Sequence, residues 1–141
     1  MLHNPPIHRH FFQDVYEWAG RVREIRTSKG GNWFCYPEYI DAEMEKLFAQ
    51  LADENHLTQI DEPGTFAERA APYIAEINAT HPFREGNGRC QLTLLSILME
   101  HAGFHMDEER LQPDKFMEAM IASFHSNDKS LAKAIVDMVR P

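Results

Sequence analysis

Cysteine is scarce in this sequence, which contains only Cys35 and Cys90. The two residues do not form a Cys-x-x-Cys pair and no further ligand pattern accompanies them, so neither a disulfide framework nor a zinc site is indicated. Disulfides are rare in compartments where glutathione keeps thiols reduced. We therefore expect the protein to be cytoplasmic.

Long apolar runs and an excess of basic residues are also missing. No stretch approaches the roughly 18 consecutive apolar residues that a membrane-spanning helix needs, and residues 1–12 lack the charged-then-apolar layout of a signal peptide. Lysine and arginine number 14 against 22 aspartates and glutamates, which gives a formal net charge of -8. Nucleic-acid binders usually present a basic face, so we expect neither a nucleic acid nor a membrane as partner.

What is present is the composition of an ordinary globular protein, with 141 residues of which 43% are hydrophobic and 26% charged. No internal repeat or low-complexity tract divides the chain. The sequence therefore predicts a single domain over residues 1–141, long enough to bury a core.

Apolar residues at helical spacing predict a mainly α-helical fold. The expected stripes are Ile7, Phe11, Val15 and Trp18; Met44, Leu47, Phe48 and Leu51; Phe66, Ala70, Ile74 and Ile77; Phe116, Met120, Ile121 and Phe124; and Leu131, Ile135 and Met138.

Capping and breaking residues predict where these helices begin and end. Gly20 is expected to end the first, and Asp41 to cap the second. A polar connection is expected between the second and third helices, and a Pro-Gly pair at residues 63–64 is expected to end it. Thr65 with Glu68 is expected to form a capping box for the third helix, in which Pro72 introduces a kink or delays the start.

A further helix is predicted over residues 87–102, with Asn87 as its cap and Gly103 as its stop. Seven of the ten residues from Cys90 to Met99 are apolar, and they leave almost no polar face. A helix that is apolar on all sides lies in the centre of a bundle, so its N-terminus is expected to be held rigidly.

A small β-hairpin is predicted over residues 24–36. Gly30-Gly31 separates two short runs there, and a Gly-Gly pair supplies the backbone angles of a two-residue turn. A two-stranded hairpin is marginal alone. The hairpin must therefore pack against the helices or act as a mobile flap.

The stretch ATHPFREGNGRCQL, residues 79–92, combines flexible and charged residues immediately before the apolar helix. Gly86-Asn87-Gly88 lies where unpaired N–H groups and the positive end of the helix dipole meet, and glycines allow a phosphate to approach closely. Arg89 adds a forked cation that suits phosphate. The pattern predicts an anion cradle.

Two further residues of this stretch point to group transfer. Glu85 would repel phosphate unless a cation such as Mg²⁺ lay between them. His81, with an ordinary pKa of about 6.5, is a candidate general base for a hydroxyl. The simpler interpretations are that His81 only caps a helix, that the glycines only form a turn, and that Arg84 and Glu85 are a solvated pair.

The nine residues HPFREGNGR resemble the signature of the Fic family, His-x-Phe-x-(Asp or Glu)-Gly-Asn-Gly-Arg-x-x-Arg. All nine match. FFQDVYEWAGRVREIR is similar to the early helix of that family and SKGGNWFCYPEYI to its flap hairpin. The resemblance implies a Fic-fold helical bundle and a protein adenylyltransferase, which moves AMP from ATP to a Ser, Thr or Tyr hydroxyl of a target protein.

The resemblance also implies a role for each residue of the site. His81 deprotonates the hydroxyl, Glu85 holds Mg²⁺ and Phe83 is a buried plug that fixes the loop. The implied phosphate-binding residues are Arg84, Gly86, Asn87, Gly88 and Arg89. The implied target-docking flap comprises Ser28, Lys29, Gly30, Gly31, Asn32, Trp33 and Phe34.

The chain departs from the family pattern in three places. Leu92 replaces the last arginine of the signature, the chain begins late, with Pro5-Pro6, as in a trimmed or minimal form, and no inhibitory helix is credible. Only residues 58–62 and 96–100 have the spacing of such a helix, in a polar linker and in the apolar helix. Regulation would then come from a small antitoxin-like protein or from self-modification, as in a bacterial toxin or effector.

Three other functions stay open on the sequence. One is a nucleotide-binding module with the Fic fold and little or no transfer activity, which the replacement at Leu92 suggests. Another is a Fic enzyme that uses a different nucleotide or phosphate-containing donor. The third is a metal protein built on histidines such as His101 and His105, although Gly103 should end the helix between them.

Overall fold

A computed structural model describes residues 22–29, 32–83, 86–123 and 129–140. The predicted first helix, with Ile7 to Trp18 and its stop at Gly20, lies outside the described residues. Within them the chain is mainly helical, as predicted. The helices are α1 (Ile40–Asp53), α2 (Pro63–Thr80), α3 (Asn87–His101), α4 (Pro113–Ser123) and α5 (Lys129–Met138).

Two short strands precede the helices. β1 (Ser28–Lys29) and β2 (Asn32–Trp33) pair antiparallel, with Ser28 opposite Trp33 and Lys29 opposite Asn32. The predicted turn at Gly30-Gly31 lies outside the described residues. We call β1 and β2 together the strand pair.

α2 is the helix around which the described bundle is arranged, because it contacts α1, α3, α4 and α5. Its apolar stripe is fully buried at Phe66, Ala70, Ile74 and Ile77, as the periodicity predicted. The stripe of α1 and that of α5 are buried as well. Ile121 of α4 does not follow its predicted stripe, since it is 50% exposed, and Phe124 lies outside the described residues.

α3 carries the predicted apolar segment. It ends at His101, and Gly103 follows with the positive φ of 90° that stops a helix. No residue from Cys90 to Met99 is exposed. The burial predicted for this helix is therefore confirmed, but its expected central position is not, because α2, and not α3, contacts all the other described helices.

The predicted caps of three helices are wrong, those of α1 and α2 and that of α3, where Gly86 and not Asn87 precedes the helix. α1 begins at Ile40, directly after a 3-10 turn at Pro37–Tyr39, so Asp41 lies inside the first turn and not at the cap. Its carboxylate still suits the positive end of the helix dipole.

α2 begins earlier than predicted, because its cap is Glu62. The Glu62 carboxylate accepts hydrogen bonds from the N–H groups of Gly64 at 2.9 Å and Thr65 at 2.7 Å. Pro63, expected to break the chain, occupies the first helical position, where its missing N–H costs nothing. The capping box of Thr65 and Glu68 is therefore wrong, and the helix continues through Pro72 without a delayed start.

Within the described parts of the chain, none of the helices combines the length and apolarity needed to cross a bilayer.

Candidate active site

His81 lies at the C-terminal end of α2. It is the residue that caps the helix, with its N–H donating to the carbonyl of Ile77 at 2.8 Å. Its φ of 48° and ψ of 64° are left-handed, a conformation that residues with a Cβ adopt only when their surroundings enforce it. The expected helix-end position is confirmed, and the backbone geometry adds a constraint that the sequence did not predict.

The side chain of His81 stacks on the aromatic ring of Phe34. The rings of His81 and Phe34 are parallel within 5° and their centroids are 3.8 Å apart. Phe34 is only 4% exposed and follows β2 directly. The backbone next to it is bonded to α2, since the N–H of Cys35 donates to the carbonyl of Ala79 at 3.3 Å. The strand pair and the histidine are thus parts of one packed unit.

A buried arginine, Arg23, completes that unit. Its guanidinium donates to the carbonyls of His81 at 2.6 Å and Thr80 at 2.9 Å. It also donates to the carbonyls of Ile25 at 2.8 Å and Cys35 at 2.5 Å. Desolvation lowers the pKa of Arg23 from its ordinary value, but an arginine remains charged in a protein.

Sequence reasoning missed Arg23. It is one of three arginines in the segment GRVREIR, residues 20–26, and no spacing distinguishes it from the others. Only the structure shows that Arg23 is buried whereas Arg26 is exposed.

The loop after His81 is tied at both ends by one side chain. The amide of Asn87 accepts from the N–H of Phe83 at 3.0 Å and donates to the carbonyl of Phe83 at 2.8 Å. Phe83 is fully buried, as the resemblance implied. Arg84 and Glu85 lie between these anchored residues and outside the described residues.

The N-terminus of α3 begins after a glycine. Gly86, and not Asn87, is the residue before the helix; its φ of 80° suits glycine, and among the described residues no side-chain hydrogen bond caps the first turn. A Cβ placed on Gly88 would meet no atom within 4 Å. The first N–H groups of a helix have no intrahelical acceptor, so oxygens of a ligand have room to reach them.

Two motif residues differ in exposure on the first turns of α3. Arg89 is exposed, whereas Leu92 is half-buried and packs against the hydrophobic core. Burial raises the pKa of the Cys90 thiol between them to about 12. This thiol is therefore not a nucleophile at neutral pH.

The outer face of the strand pair is rich in exposed aromatic side chains. Trp33 is 61% exposed. The guanidinium of Arg26 lies 4.9 Å from the centroid of the Trp33 ring and 3.6 Å from that of Tyr36. Tyr39 packs edge-on against Tyr36. Arginine, tryptophan and tyrosine are the residues most enriched where proteins bind proteins.

Among the described residues, no group of three histidine, cysteine, aspartate or glutamate side chains could hold a metal ion. His101 ends α3, and His105 follows beyond Gly103. The described geometry thus offers no protein cage for a cation.

Comparison with known proteins identifies the family to which this chain belongs. A model of the Fic/DOC family matches residues 6–99, which is more than half of the chain. The chain belongs to the Fic/DOC family. This confirms the family predicted from the HPFREGNGR signature.

Two relatives of this Fic chain carry activities in their names. The probable protein adenylyltransferase y4lH of Sinorhizobium fredii is 54% identical over 137 residues, which cover 97% of this chain and 71% of that protein. The protein adenylyltransferase VbhT of Bartonella schoenbuchensis is 37% identical over 133 residues, which cover 94% of this chain but only 28% of VbhT.

Solved Fic structures have the same fold. BepC of Bartonella tribocorum, crystallised with bound AMPPNP, gives a TM-score of 0.89 at 25% identity, over 98% of this chain and 73% of BepC. The Fic domain of a VirB-translocated Bep effector from Bartonella quintana, with bound ADP, gives 0.90 at 26% identity, over 97% of this chain and 71% of that one. The predicted Fic fold is confirmed.

Proposed function

We propose that this Fic chain is a protein adenylyltransferase, an enzyme that moves AMP from ATP to a Ser, Thr or Tyr hydroxyl of a target protein. The observation that carries the proposal is a histidine fixed at the end of α2, one short loop before the open N-terminus of α3. The names of the relatives and the adenine nucleotides bound in related structures support the same chemistry.

His81 is the proposed general base. It takes the proton of the target hydroxyl, whose oxygen then attacks the α-phosphorus of ATP while pyrophosphate leaves. A base of this kind must be held within hydrogen-bond reach of the proton it removes. The stack on Phe34 and the left-handed backbone at His81 restrict the position of the imidazole, and this restriction supports the proposed role.

The N-terminus of α3 is the proposed phosphate cradle. Gly86, Gly88 and Asn87 offer backbone N–H groups, and Arg84 and Arg89 offer guanidinium groups. The side chain of Asn87 is already bonded to Phe83, so its part in the cradle falls to its backbone. Positioning and charge stabilisation account for most of the catalysis of phosphoryl transfer, and we expect the same here.

Glu85 is the proposed ligand of Mg²⁺, and the donor set fits that ion. Mg²⁺ in nucleotide enzymes is commonly held by one or two carboxylates together with substrate phosphates, not by an all-protein cage. In the sequence Glu85 directly precedes Gly86, so it would supply one such carboxylate next to the proposed cradle. When bound, the ion would neutralise phosphate charge.

The strand pair and its flanks are the proposed target-docking flap, comprising Ser28, Lys29, Gly30, Gly31, Asn32, Trp33 and Phe34. An exposed two-residue strand can accept an extended segment of the target as an additional strand. The exposed Trp33 and the stacked Arg26 supply side-chain contacts beside it.

We also propose that the reaction takes place in the cytoplasm. Its regulator would be a small inhibitory protein or self-modification.

A labelling experiment tests the proposed activity. The protein is incubated with a bacterial lysate and Mg²⁺ and either α-labelled or γ-labelled ATP. Label should pass to protein only from α-labelled ATP, and should stop when Mg²⁺ is chelated. Transfer from the γ-labelled donor would show a phosphotransferase instead, and nucleotide binding without transfer would show a binding module.

A further inference from the structure

Arg23 is charged, yet only 2% of it is exposed. Among the described residues no carboxylate pairs with it, since the one ion pair found there joins Arg69 and Glu54. Burying a cation without a counterion is costly unless hydrogen bonds replace its hydration. At Arg23 backbone carbonyls do so, and these carbonyls belong to two separate segments.

The first segment is the end of α2. The guanidinium of Arg23 binds the carbonyls of Thr80 and His81, and its backbone N–H donates to the carbonyl of Pro82 at 2.9 Å. Three consecutive residues are therefore held by one arginine, and the middle one is the left-handed histidine.

The second segment is the strand pair with its flanks. The same guanidinium binds the carbonyl of Ile25, before β1, and the carbonyl of Cys35, after β2. Cys35 follows Phe34, whose ring stacks on the imidazole of His81. Arg23 thus fixes the backbone of His81 and also the segment that holds the Phe34 ring against the imidazole.

We propose that Arg23 is a positioning residue for the transfer reaction. It sets the orientation of the His81 imidazole by holding the end of α2 and the Phe34 segment in register. The inference rests on the proposed role of His81 as the base. Only a planar fork with five N–H donors can reach carbonyls on both sides, so lysine at this position should keep the charge but lose the register.

The test compares Arg23→Lys with a matched control, Arg69→Lys, which changes an exposed arginine on α2 whose ion pair with Glu54 a lysine can keep. AMP transfer from α-labelled ATP to lysate protein is measured as a function of ATP concentration. For Arg23→Lys we expect the rate at saturating ATP to fall about tenfold or more. The half-saturating ATP concentration should stay within about twofold, because the cradle on α3 does not contact Arg23. Arg69→Lys should keep the ATP dependence of the wild type.

A spectroscopic readout follows the orientation without relying on activity. Protons of an imidazole stacked on a phenyl face are shifted upfield by the ring current. The His81 ring protons, assigned by comparison with His81→Asn, should be upfield in the wild type and in Arg69→Lys. In Arg23→Lys they should move towards the position of an unstacked histidine.

Several outcomes would overturn the inference. An unchanged rate and unchanged ring shifts in Arg23→Lys would show that Arg23 does not position His81. A rise in the half-saturating ATP concentration that matches the loss of rate would show a general loosening of the site. If Arg23→Lys melts below the assay temperature, Phe34→Leu tests the same link, and full activity in that variant would refute it.

His81→Ala separates this inference from the proposed function. If His81→Ala transfers AMP at the wild-type rate, the assignment of the base fails and the positioning role fails with it. If His81→Ala is inactive while Arg23→Lys is fully active, only the positioning role fails.

Discussion

The left-handed backbone of His81 allows its structural and chemical roles to be separated. Asparagine tolerates this conformation better than alanine does. We expect both His81→Ala and His81→Asn to lose about 10²–10⁴-fold in transfer rate, the usual effect of removing a general base. His81→Asn should nevertheless have the higher thermal midpoint of the two. Rates and thermal melts on both variants check this, and substantial transfer by well-folded His81→Asn would contradict the proposed mechanism.

Leu92 raises a second question at the scale of the residue, because the Fic signature has arginine at this position. The resemblance implies that this arginine meets the γ-phosphate, which leucine cannot do. In the structure Leu92 packs against the core, three residues after the exposed Arg89. Residues three apart are neighbours on a helix surface, and the long stem of an arginine could cover the apolar patch while its head reaches the cradle.

We therefore expect two effects from Leu92→Arg. The thermal midpoint should fall, because apolar packing is lost. The affinity for ATP relative to ADP should rise by roughly tenfold, the effect of one charge-assisted hydrogen bond. Titrations with both nucleotides measure the ratio, with Leu92→Met as the control that preserves packing. An unchanged ratio in the folded variant would leave Leu92 with a packing role alone.

At the scale of the element, the start of α2 depends on the Glu62 carboxylate. Hydrogen bonds from the backbone of Gly64 and Thr65 lower the pKa of Glu62. A carboxylate with a lowered pKa in the folded state stabilises that state above its unfolded pKa, and the effect is lost as the pH falls through the folded value. The stabilisation should therefore be present at neutral pH and be lost progressively as the pH falls below about 4, the ordinary range of a glutamate pKa.

Glu62→Gln tests the cap. The variant should melt below the wild type at pH 7, and the difference should shrink towards zero near pH 3. Glu68→Gln, a change at an exposed position of the same helix, is the control and should change the melting temperature little at either pH. A difference that is independent of pH for Glu62→Gln would show that the charge of the cap does not matter.

The strand pair supports a prediction about target docking. Trp33 is exposed, so Trp33→Ala should leave the fold and the half-saturating ATP concentration unchanged. Labelling of lysate proteins should fall several-fold, because truncating an aromatic anchor commonly costs more than about 1 kcal/mol of binding. Met117→Ala removes an exposed apolar side chain on α4 and is the control. Equal labelling by the two variants would argue against docking at the strand pair.

The elements also show what could be predicted from sequence. Apolar periodicity located the stripes of α1, α2 and α5, because burial of an amphipathic face decides those helices. The predicted caps of α1 and α2 were wrong for different reasons. α1 follows a 3-10 turn and has no side-chain cap at Tyr39, whereas several polar residues near the start of α2 could serve and only the backbone path selects one. The cap of α2 is Glu62. It directly precedes Pro63, and proline suits the first helical turn.

At the scale of the whole molecule, the site is assembled from distant parts of the chain. The signature predicted the loop and the N-terminus of α3, which are contiguous in sequence. Arg23 could not be predicted, because its partners Thr80 and His81 lie 57 and 58 residues away. The left-handed turn at Asn55–Leu57 was missed for a similar reason, since Leu57 is held there by burial in the core. That residues 1–141 form one domain stays a prediction.

The two cysteines can report on the stability of the whole fold. Cys90 is buried in α3, and burial raises the pKa of its thiol to about 12, so its native thiolate is both rare and inaccessible. Cys35 is only half-buried, although burial also raises the pKa of its thiol.

In a Cys35→Ser variant at pH 8, we expect a thiol reagent to modify Cys90 only when the protein unfolds. The modification rate should then follow the unfolded fraction and rise with denaturant. Addition of ATP and Mg²⁺ should slow it, because a ligand that binds the folded state stabilises that state. Mass spectrometry of quenched samples measures the rate, with a Cys90→Ser variant to record Cys35 alone. Rapid modification of Cys90 without denaturant would show that α3 opens locally, and that the base beneath the proposed cradle is not rigid.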